Sequence, residues 1–269
     1  MSANIFLHEF RTRLKSVLIW SVSLTALMLF FFSIYPSFSS QAELTNMLMK
    51  KFPPVLLEAF GLNRADMSTV LGYYSLVLVF TQLCLAIQAG NYGFGLVSIE
   101  ESELTADFLL SKPVSRSRIL TSKFLAALAS LLVTELVTWG VSLLSIEIFR
   151  GDHAYNLGTL VFLFLTLLIL QLFFLCVGLV ISLLVRRVRS VTPYSLGLGF
   201  GTYVLAAFSG VFGDVKLEYL TPFKHLDPSQ IVQDGALNTP LVILDVGISL
   251  FAVAISYWLY VRRDIPSVS

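Results

Sequence analysis

The sequence predicts an all-α polytopic membrane protein, on the evidence of its composition and the placement of its charges. Of the 269 residues, 56% are hydrophobic and only 13% are charged, and the mean hydropathy is +0.82. Soluble domains average about 25% charged residues. A transmembrane helix needs roughly 20 apolar residues. The apolar segments of this chain are continuous and do not alternate with polar residues, which excludes a closed β-barrel.

Six transmembrane helices are expected in a single domain covering residues 1–269. Asp, Glu, Lys and Arg are missing from four long stretches: 16–42, 67–99, 153–185 and 190–213. Two further apolar segments are interrupted by single acids, at Glu135, Glu147 and Asp245. The approximate bounds of the six spans are 17–35, 72–97, 124–148, 159–185, 191–212 and 240–261.

The distribution of basic residues predicts the orientation in the cell membrane. Twelve of the 18 Lys and Arg residues lie in the N-terminus, the loops after spans two and four, and the C-terminus: Arg11, Arg13, Lys15, Lys112, Arg116, Arg118, Lys123, Arg186, Arg187, Arg189, Arg262 and Arg263. The positive-inside rule therefore puts both termini in the cytoplasm. An even number of spans agrees with this.

Three segments outside the spans are expected to contact the membrane. Residues 3–15 form an amphipathic pattern suited to a cytoplasmic elbow helix in the headgroup layer, although an ordinary flank of span one is equally compatible. The external segment 41–65 predicts two short amphipathic helices. In the last external loop, 214–239, apolar residues such as Tyr219 and Phe223 favour a partly embedded structure, broken by prolines.

Residues 99–123 form the one long charged segment between spans. Acidic residues come first and basic residues later: Glu100, Glu101, Glu103 and Asp107, then Lys112, Arg116, Arg118 and Lys123. This order complements a helix dipole running through the segment. We interpret the segment as a docking surface for a soluble partner. A solvated loop with ordinary positive-inside charge is the alternative.

Signatures of catalysis are missing from the sequence. No Gly-Lys pair occurs, so there is no P-loop for nucleotide phosphates, and no Gly-x-Ser-x-Gly elbow occurs. The three histidines fall on separate segments, so no metal site is predicted. Cys84 and Cys176 lie within spans and imply no disulfide framework.

Two features inside the spans have functional and structural interpretations. Glu135, near the centre of span three, is costly to bury as an isolated charge. It is either a proton or cation site in a pathway or a structural hydrogen-bonding group, for instance with Gln82, Gln88 or Gln171. Glu147 and Asp245 lie near the outer boundary and are expected to reach water. In span five, Gly197 and Gly201 have the spacing of a close helix–helix contact.

The charged segment resembles the corresponding region of ABC-2-type exporter permeases. The matching residues are Glu100-Glu101, Leu104-Thr105, Phe108-Leu109-Leu110-Ser111, Pro113-Val114-Ser115-Arg116, Ile119-Leu120 and Lys123. Leu104 departs from the family, which usually has Gly before Thr105. The stretch TPFKHLD at 221–227 is similar to the Pro-Phe-containing re-entrant loop before the last span of these permeases.

The resemblance implies a permease subunit without enzymatic activity of its own. A coupling helix in the first cytoplasmic loop would sit in a groove of a separate ATPase, which would bind ATP and Mg²⁺. The residues implied in coupling are Glu100, Glu101, Thr105, Leu109, Leu110, Pro113, Ser115, Arg116, Arg118 and Lys123. A second permease chain, identical or different, would complete the exporter, with spans one and five near the interface between the chains. We expect the lipid bilayer as surroundings and no nucleic-acid partner.

Two other classes of function stay open at this point. The first is an ATP-independent secondary transporter or channel that uses Glu135. A membrane-embedded enzyme ranks last, because the sequence offers no nucleophile or metal constellation. The transported substrate does not follow from the sequence.

Overall fold

The computed structural model describes residues 2–41, 66–102, 114–185, 190–209 and 217–262, with isolated positions 47, 51–53, 57 and 188; only the backbone is described for 99–102 and 217–218. The long helices of this part of the chain are α1 (Ala3–Ser40), α2 (Val70–Ser102), α3 (Arg116–Phe149), α4 (Leu157–Leu184), α5 (Val191–Phe208) and α8 (Thr239–Arg262). Between α5 and α8 lie a 3₁₀ turn (Leu217–Leu220) and the short helices α6 (Pro222–His225) and α7 (Pro228–Asp234).

Each long helix overlaps one predicted span. In the described part of the chain, five of them, α1 to α4 and α8, are long and apolar enough to cross a membrane. Helix α5 has only 18 residues, a rise of about 27 Å, and its glycines, Thr192 and Pro193 dilute its apolar character. The sixth span therefore stays a prediction.

The predicted elbow helix is not a separate element. Helix α1 runs without interruption for 38 residues and includes both the amphipathic segment 3–15 and the first predicted span. No Gly or Pro occurs before Pro36, so the sequence offers no breaker at the expected bend. The coupling helix was predicted within the charged segment 99–123, of which residues 103–113 lie outside the described residues. The two outer helices were predicted over 41–65, where only 41 and the isolated positions 47, 51–53 and 57 are described.

Helices α2 and α4 form the centre of the bundle. Helix α1 packs mainly on α3, whereas α5 packs on α2 and α8 packs on α4. Small residues permit the central contact: a Cβ at Gly93 of α2 would collide with the Leu175 carbonyl oxygen of α4. A Cβ at Gly178 of α4 would lie 3.1 Å from the Gly90 carbonyl oxygen. The closest packing therefore lies between the two central helices.

Polar contacts identify which helix ends lie together. The Ser2 backbone N–H donates to Ser122 Oγ over 2.7 Å, and an Arg116 guanidinium nitrogen donates to the Val261 carbonyl over 3.3 Å. Lys123 Nζ donates to the Leu96 carbonyl over 2.6 Å. The start of α1, the end of α2, the start of α3 and the end of α8 therefore share one end of the bundle, here called the connector end. The opposite end, which carries residues 150–156 and residues 217–238, is the loop end. Residues 217–238 are here called the re-entrant segment.

Candidate functional site

A cluster of charged side chains joins three helices at the connector end. Lys123 of α3 is only 2% exposed, and its ammonium donates to the Leu96 carbonyl of α2 over 2.6 Å. The same ammonium lies 3.8 Å from a Glu9 carboxylate oxygen on α1. Glu9 also pairs with Arg13, one turn later, over 2.6 Å. Hydrogen bonds with an ionised donor are stronger than neutral ones, so this connector-end cluster holds α1, α2 and α3 together.

Polar contacts extend from this cluster into the bundle. The Arg13 guanidinium lies 5.9 Å from the centre of the Tyr92 ring, and the Tyr92 hydroxyl donates to Ser16 Oγ over 3.1 Å. The Gln88 amide donates to the Tyr92 hydroxyl over 3.4 Å and to Thr134 Oγ1 over 2.9 Å. Thr134 precedes Glu135 on α3, so the chain of contacts leads towards the predicted intramembrane acid.

The residues predicted for coupling occupy different environments. Ser115 and Arg118 are exposed at the start of α3, whereas Arg116 is partly buried and bonded to Val261 at the end of α8. Lys123 is buried, which does not fit a residue that touches a partner directly; its contacts make it an internal tether between helices. Glu100 and Glu101 lie in the last turn of α2, where the structure describes only the backbone. Four other predicted coupling residues lie outside the described residues altogether: Thr105, Leu109, Leu110 and Pro113.

Glu135 is fully buried on α3. Within the described part of the chain, neither of its carboxylate oxygens has a hydrogen-bond partner of ordinary geometry. The Trp139 indole, one turn further along α3, interacts with the carboxylate. A buried carboxylate without hydrogen bonds is costly, so the burial of Glu135 calls for a structural or functional reason.

Two of the three glutamines proposed as partners of Glu135 bond elsewhere. Gln82 donates to the Leu226 carbonyl over 2.9 Å, and Gln88 donates to Thr134. Gln171 is buried, and its amide has no partner among the described residues. The expected hydrogen bonds from these glutamines to Glu135 are not observed.

Helix α3 presents a polar face to the bundle interior. Ser130, Thr134, Thr138 and Ser142 follow at intervals of four residues, and each donates to the carbonyl four residues earlier. Such back-bonding satisfies hydroxyls inside a helix without a second helix. Ser142 also accepts from the Tyr74 hydroxyl of α2 over 2.8 Å. The regular Ser/Thr spacing was visible in the sequence and would have identified this face.

At the loop end, the re-entrant segment (residues 217–238) packs into the bundle. Thr221, Leu226 and Ser229 are buried, in agreement with the predicted partly embedded structure. The Phe223 ring packs between Phe174 of α4 and Tyr203 of α5, with centroids 5.6 and 5.7 Å away. The bond from Gln82 to the Leu226 carbonyl fixes the segment to α2. The motif TPFKHLD therefore forms an internal contact between helices.

His225 and Asp245 form a buried pair between this segment and α8. His225 Nδ1 lies 2.8 Å from Asp245 Oδ1, and the side chains are 2% and 0% exposed. The expectation that Asp245 reaches water is wrong. Asp245 shares a helix face with Ser249 and Ala252, and this face is buried in the bundle. The burial of Asp245 could have been predicted from the polar residues that share this face.

Glu147 does reach solvent, as expected. Its side chain is half exposed, and it pairs with Arg150 over 2.8 Å. The Tyr155 hydroxyl donates to the second carboxylate oxygen over 2.8 Å. This hydrogen bond raises the pKa of Tyr155 above its ordinary value.

The glycine pair predicted for helix packing faces away from the bundle. No atom lies within 4 Å of a Cβ built at Gly197 or Gly201. The glycine of α5 that does contact α2 is Gly199, where a Cβ would lie 2.9 Å from Ile87 Cγ1. A close helix–helix contact at Gly197 and Gly201 stays a prediction. Among the described residues, no group of three or more His, Cys, Asp or Glu is placed to hold a metal ion.

Several long apolar helices around a buried polar interior define a multi-pass membrane protein. A family model described as "ABC-2 family transporter protein" matches residues 3–265, and the chain belongs to this family. No curated protein sequence matches the chain. The family resemblance drawn from the charged segment is therefore confirmed, and the chain is an ABC transporter permease.

Proposed function

We propose that the chain is the transmembrane permease subunit of an ATP-driven exporter, moved by a separate ATPase that binds at the connector end. The observation that carries this proposal is the connector-end cluster. Lys123 links the first turns of α3 to α2 and, through Glu9, to α1. Arg116 links the same part of α3 to α8. A displacement applied to the connector between α2 and α3 is therefore passed to four helices at once.

The energy source in this proposal lies outside the chain. The sequence has no P-loop, so ATP and Mg²⁺ bind to the partner ATPase. The excess of Lys and Arg at the connector end supports a cytoplasmic location for that end and for both termini. Residues 100–118 supply the ATPase contact, α5 is the sixth span, and a second permease chain completes the pathway. The substrate enters between the helices and leaves at the loop end.

Cysteine labelling tests the orientation. The native thiols are partly buried at Cys84 and buried at Cys176, and both can be replaced by alanine. Ser117→Cys places an exposed thiol at the connector end, and Asp152→Cys places one at the loop end. In intact cells, a membrane-impermeant maleimide is expected to label Asp152→Cys and to label Ser117→Cys only after permeabilisation. The reverse pattern contradicts the proposal.

Charge reversal tests the coupling. Arg118 is a more specific test site than Arg116, because Arg116 also donates a hydrogen bond to the Val261 carbonyl of α8. In a complex purified from native membranes, we expect Arg118→Glu to lower substrate-stimulated ATP hydrolysis by at least about tenfold, since a like charge at an interface costs several kcal/mol. The matched control is Lys51→Glu, an exposed cation between α1 and α2, which makes the same change in charge. Equal losses in both variants, or purification without any nucleotide-hydrolysing subunit, contradict the docking role.

A second candidate function is an ATP-independent transporter or channel, favoured by the buried Glu135, whose carboxylate oxygens have no hydrogen-bond partner of ordinary geometry among the described residues. It predicts proton- or cation-gradient-driven flux in liposomes containing the purified chain alone, and loss of that flux in Glu135→Gln. A purified chain that gives no flux without an ATPase contradicts this second function. Gradient-driven flux without any ATPase would contradict the first.

A further inference from the structure

The pair of His225 and Asp245 joins two elements that differ in length and packing. His225 is the last residue of α6, which has four residues, whereas Asp245 lies near the start of α8, which has 24. Their bond of 2.8 Å connects the re-entrant segment to the last long helix. His225 Nε2 and Asp245 Oδ2 are buried without a hydrogen-bond partner in the described part of the chain. The pair is therefore isolated from other described polar side chains.

A cavity adjoins this pair. Its volume is about 110 Å³, and its polar lining consists of His225, Asp227, Gln230, Asp234 and Asn238. One water needs about 10–15 Å³ of such volume, so the cavity has room for several water molecules beside the imidazole. Asp245 does not line the cavity. The cavity therefore adjoins the histidine member of the pair, at the loop end.

The charges around His225 come from three elements. Lys224 and Asp227 flank it in the sequence, Asp234 of α7 lines the same cavity, and Asp245 of α8 holds its ring. Helices α4 and α5, which also pack on α6, contain no Asp, Glu, Lys, Arg or His. The titratable group of α5 near this segment is Tyr203, which contacts Phe223, and the 3₁₀ turn contributes the exposed Tyr219. The side chains named here include three carboxylates and one lysine.

We propose that His225 and Asp245 form a proton-binding latch. His225 receives its proton from the loop end through the cavity, and the protonated pair holds the re-entrant segment more tightly against α8. An imidazole ordinarily changes charge between about pH 5 and 8. Protonation turns one hydrogen bond into an ion pair, and in a buried site the attraction between opposite charges is stronger than in water. Loss of the proton leaves Asp245 as a buried charge with a single neutral hydrogen bond.

The latch controls how firmly two helices are joined at the loop end. The segment is bonded to α2 through Gln82 and Leu226 and to α8 through His225 and Asp245. A protonated pair therefore holds α8 to α2 through the segment, and deprotonation weakens the α8 side only. This property follows from the local contacts and does not depend on the exporter function or on an ATPase.

The proton-binding step is tested by nuclear magnetic resonance of the chain labelled with ¹⁵N-histidine in nanodiscs. The sequence has three histidines, and His8 and His153 are exposed, so His8→Gln and His153→Gln assign their signals by loss. We expect the remaining His225 ring signals to change between about pH 5 and 8, and Asp245→Asn to shift that transition to lower pH. A His225 ring that keeps one protonation state over this range overturns the proposal.

The latch itself is tested by hydrogen exchange of the backbone over residues 222–234, corrected for the intrinsic effect of pH. Exchange is expected to be at least about threefold slower at about pH 6 than at about pH 8. The His153→Gln control keeps this difference, whereas His225→Gln, which retains a hydrogen-bond donor but does not titrate, removes it. A pH dependence that survives in His225→Gln overturns the proposal. If that variant does not fold, Asp245→Asn serves in its place, with the same two outcomes.

Discussion

The two ends of the bundle use charged side chains in different ways. At the connector end, Glu9 and Arg13 keep 19% and 11% of their side chains exposed, and Lys123 has both a carbonyl and a carboxylate within reach. At the loop end, His225 and Asp245 are 2% and 0% exposed, and among the described side chains they bond only to each other. At the connector end, Glu9 and Lys123 each contact more than one partner, whereas at the loop end His225 and Asp245 contact each other.

This difference determines what the loss of one side chain leaves behind. Removing a member of a shared cluster leaves the remaining charges with another partner or with water. Removing a member of a confined pair leaves an uncompensated charge in the protein interior, which is far more costly than the net value of the pair. We therefore expect the connector end to tolerate rearrangement of its charged groups. At the loop end, we expect the re-entrant segment to stay joined to α8 until the pair changes charge.

The largest effect is expected for His225→Leu. This change leaves the Asp245 carboxylate buried without its partner, which should lower the free energy of unfolding by about 3–5 kcal/mol. Thermal unfolding of the purified chain in detergent measures the loss as a lower midpoint. The double variant His225→Leu with Asp245→Leu should recover much of the stability, because no buried charge remains. A double variant as unstable as the single one would show that packing, not the orphaned charge, causes the loss.

A smaller effect is expected for Lys123→Met at the connector end. The Leu96 carbonyl loses a charged donor, but Glu9 keeps Arg13. The expected loss is about 2–3 kcal/mol, the value of a hydrogen bond to a charged group. Lys15→Met, at an exposed position of α1, is the matched control and should leave the unfolding midpoint unchanged. A loss equal to that of His225→Leu would remove the distinction between the two ends.

The loop end can also be tested by replacing an uncharged residue. Gln82→Leu removes the donor to the Leu226 carbonyl and should cost about 1–2 kcal/mol, because a buried carbonyl is left unpaired. Hydrogen exchange over residues 222–234 should rise in this variant while exchange of α3 stays constant. Unchanged exchange in the segment would mean that its position depends on Phe223 and the pair with α8 alone.

The sequence predicted the helices far better than their contacts. Runs of apolar residues placed every long helix, because the length of a span is set by the thickness of the membrane. The amphipathic segment 3–15 is not a separate helix but the first part of α1, since amphipathicity alone does not break a helix that has no Gly or Pro before Pro36. The contact faces depended on which glycines meet a neighbour: Gly93 and Gly199 do, whereas Gly197 and Gly201 do not. Spacing within one helix carries no information about that neighbour.

The charged residues show the same limit. Lys123 was predicted at a docking surface from its place in a motif, yet the structure buries it against Leu96. Glu147 and Asp245 were assigned the same environment, because both lie near the end of an apolar span. One is half exposed and the other fully buried. The partner of Asp245 lies 20 residues away on a separate short helix, and no pattern within α8 identifies it.

The smallest effect is expected where Glu147 meets Arg150. This pair is joined over 2.8 Å, but half of the Glu147 side chain and about a third of that of Arg150 are exposed. Ion pairs in water contribute little, because solvent screens them and both side chains lose freedom. Arg150→Ala should therefore leave the unfolding midpoint within error, in contrast to His225→Leu. Because the separation of the two atoms is the same 2.8 Å in both pairs, a measurable loss in Arg150→Ala would show that distance, rather than burial, decides the cost of breaking them.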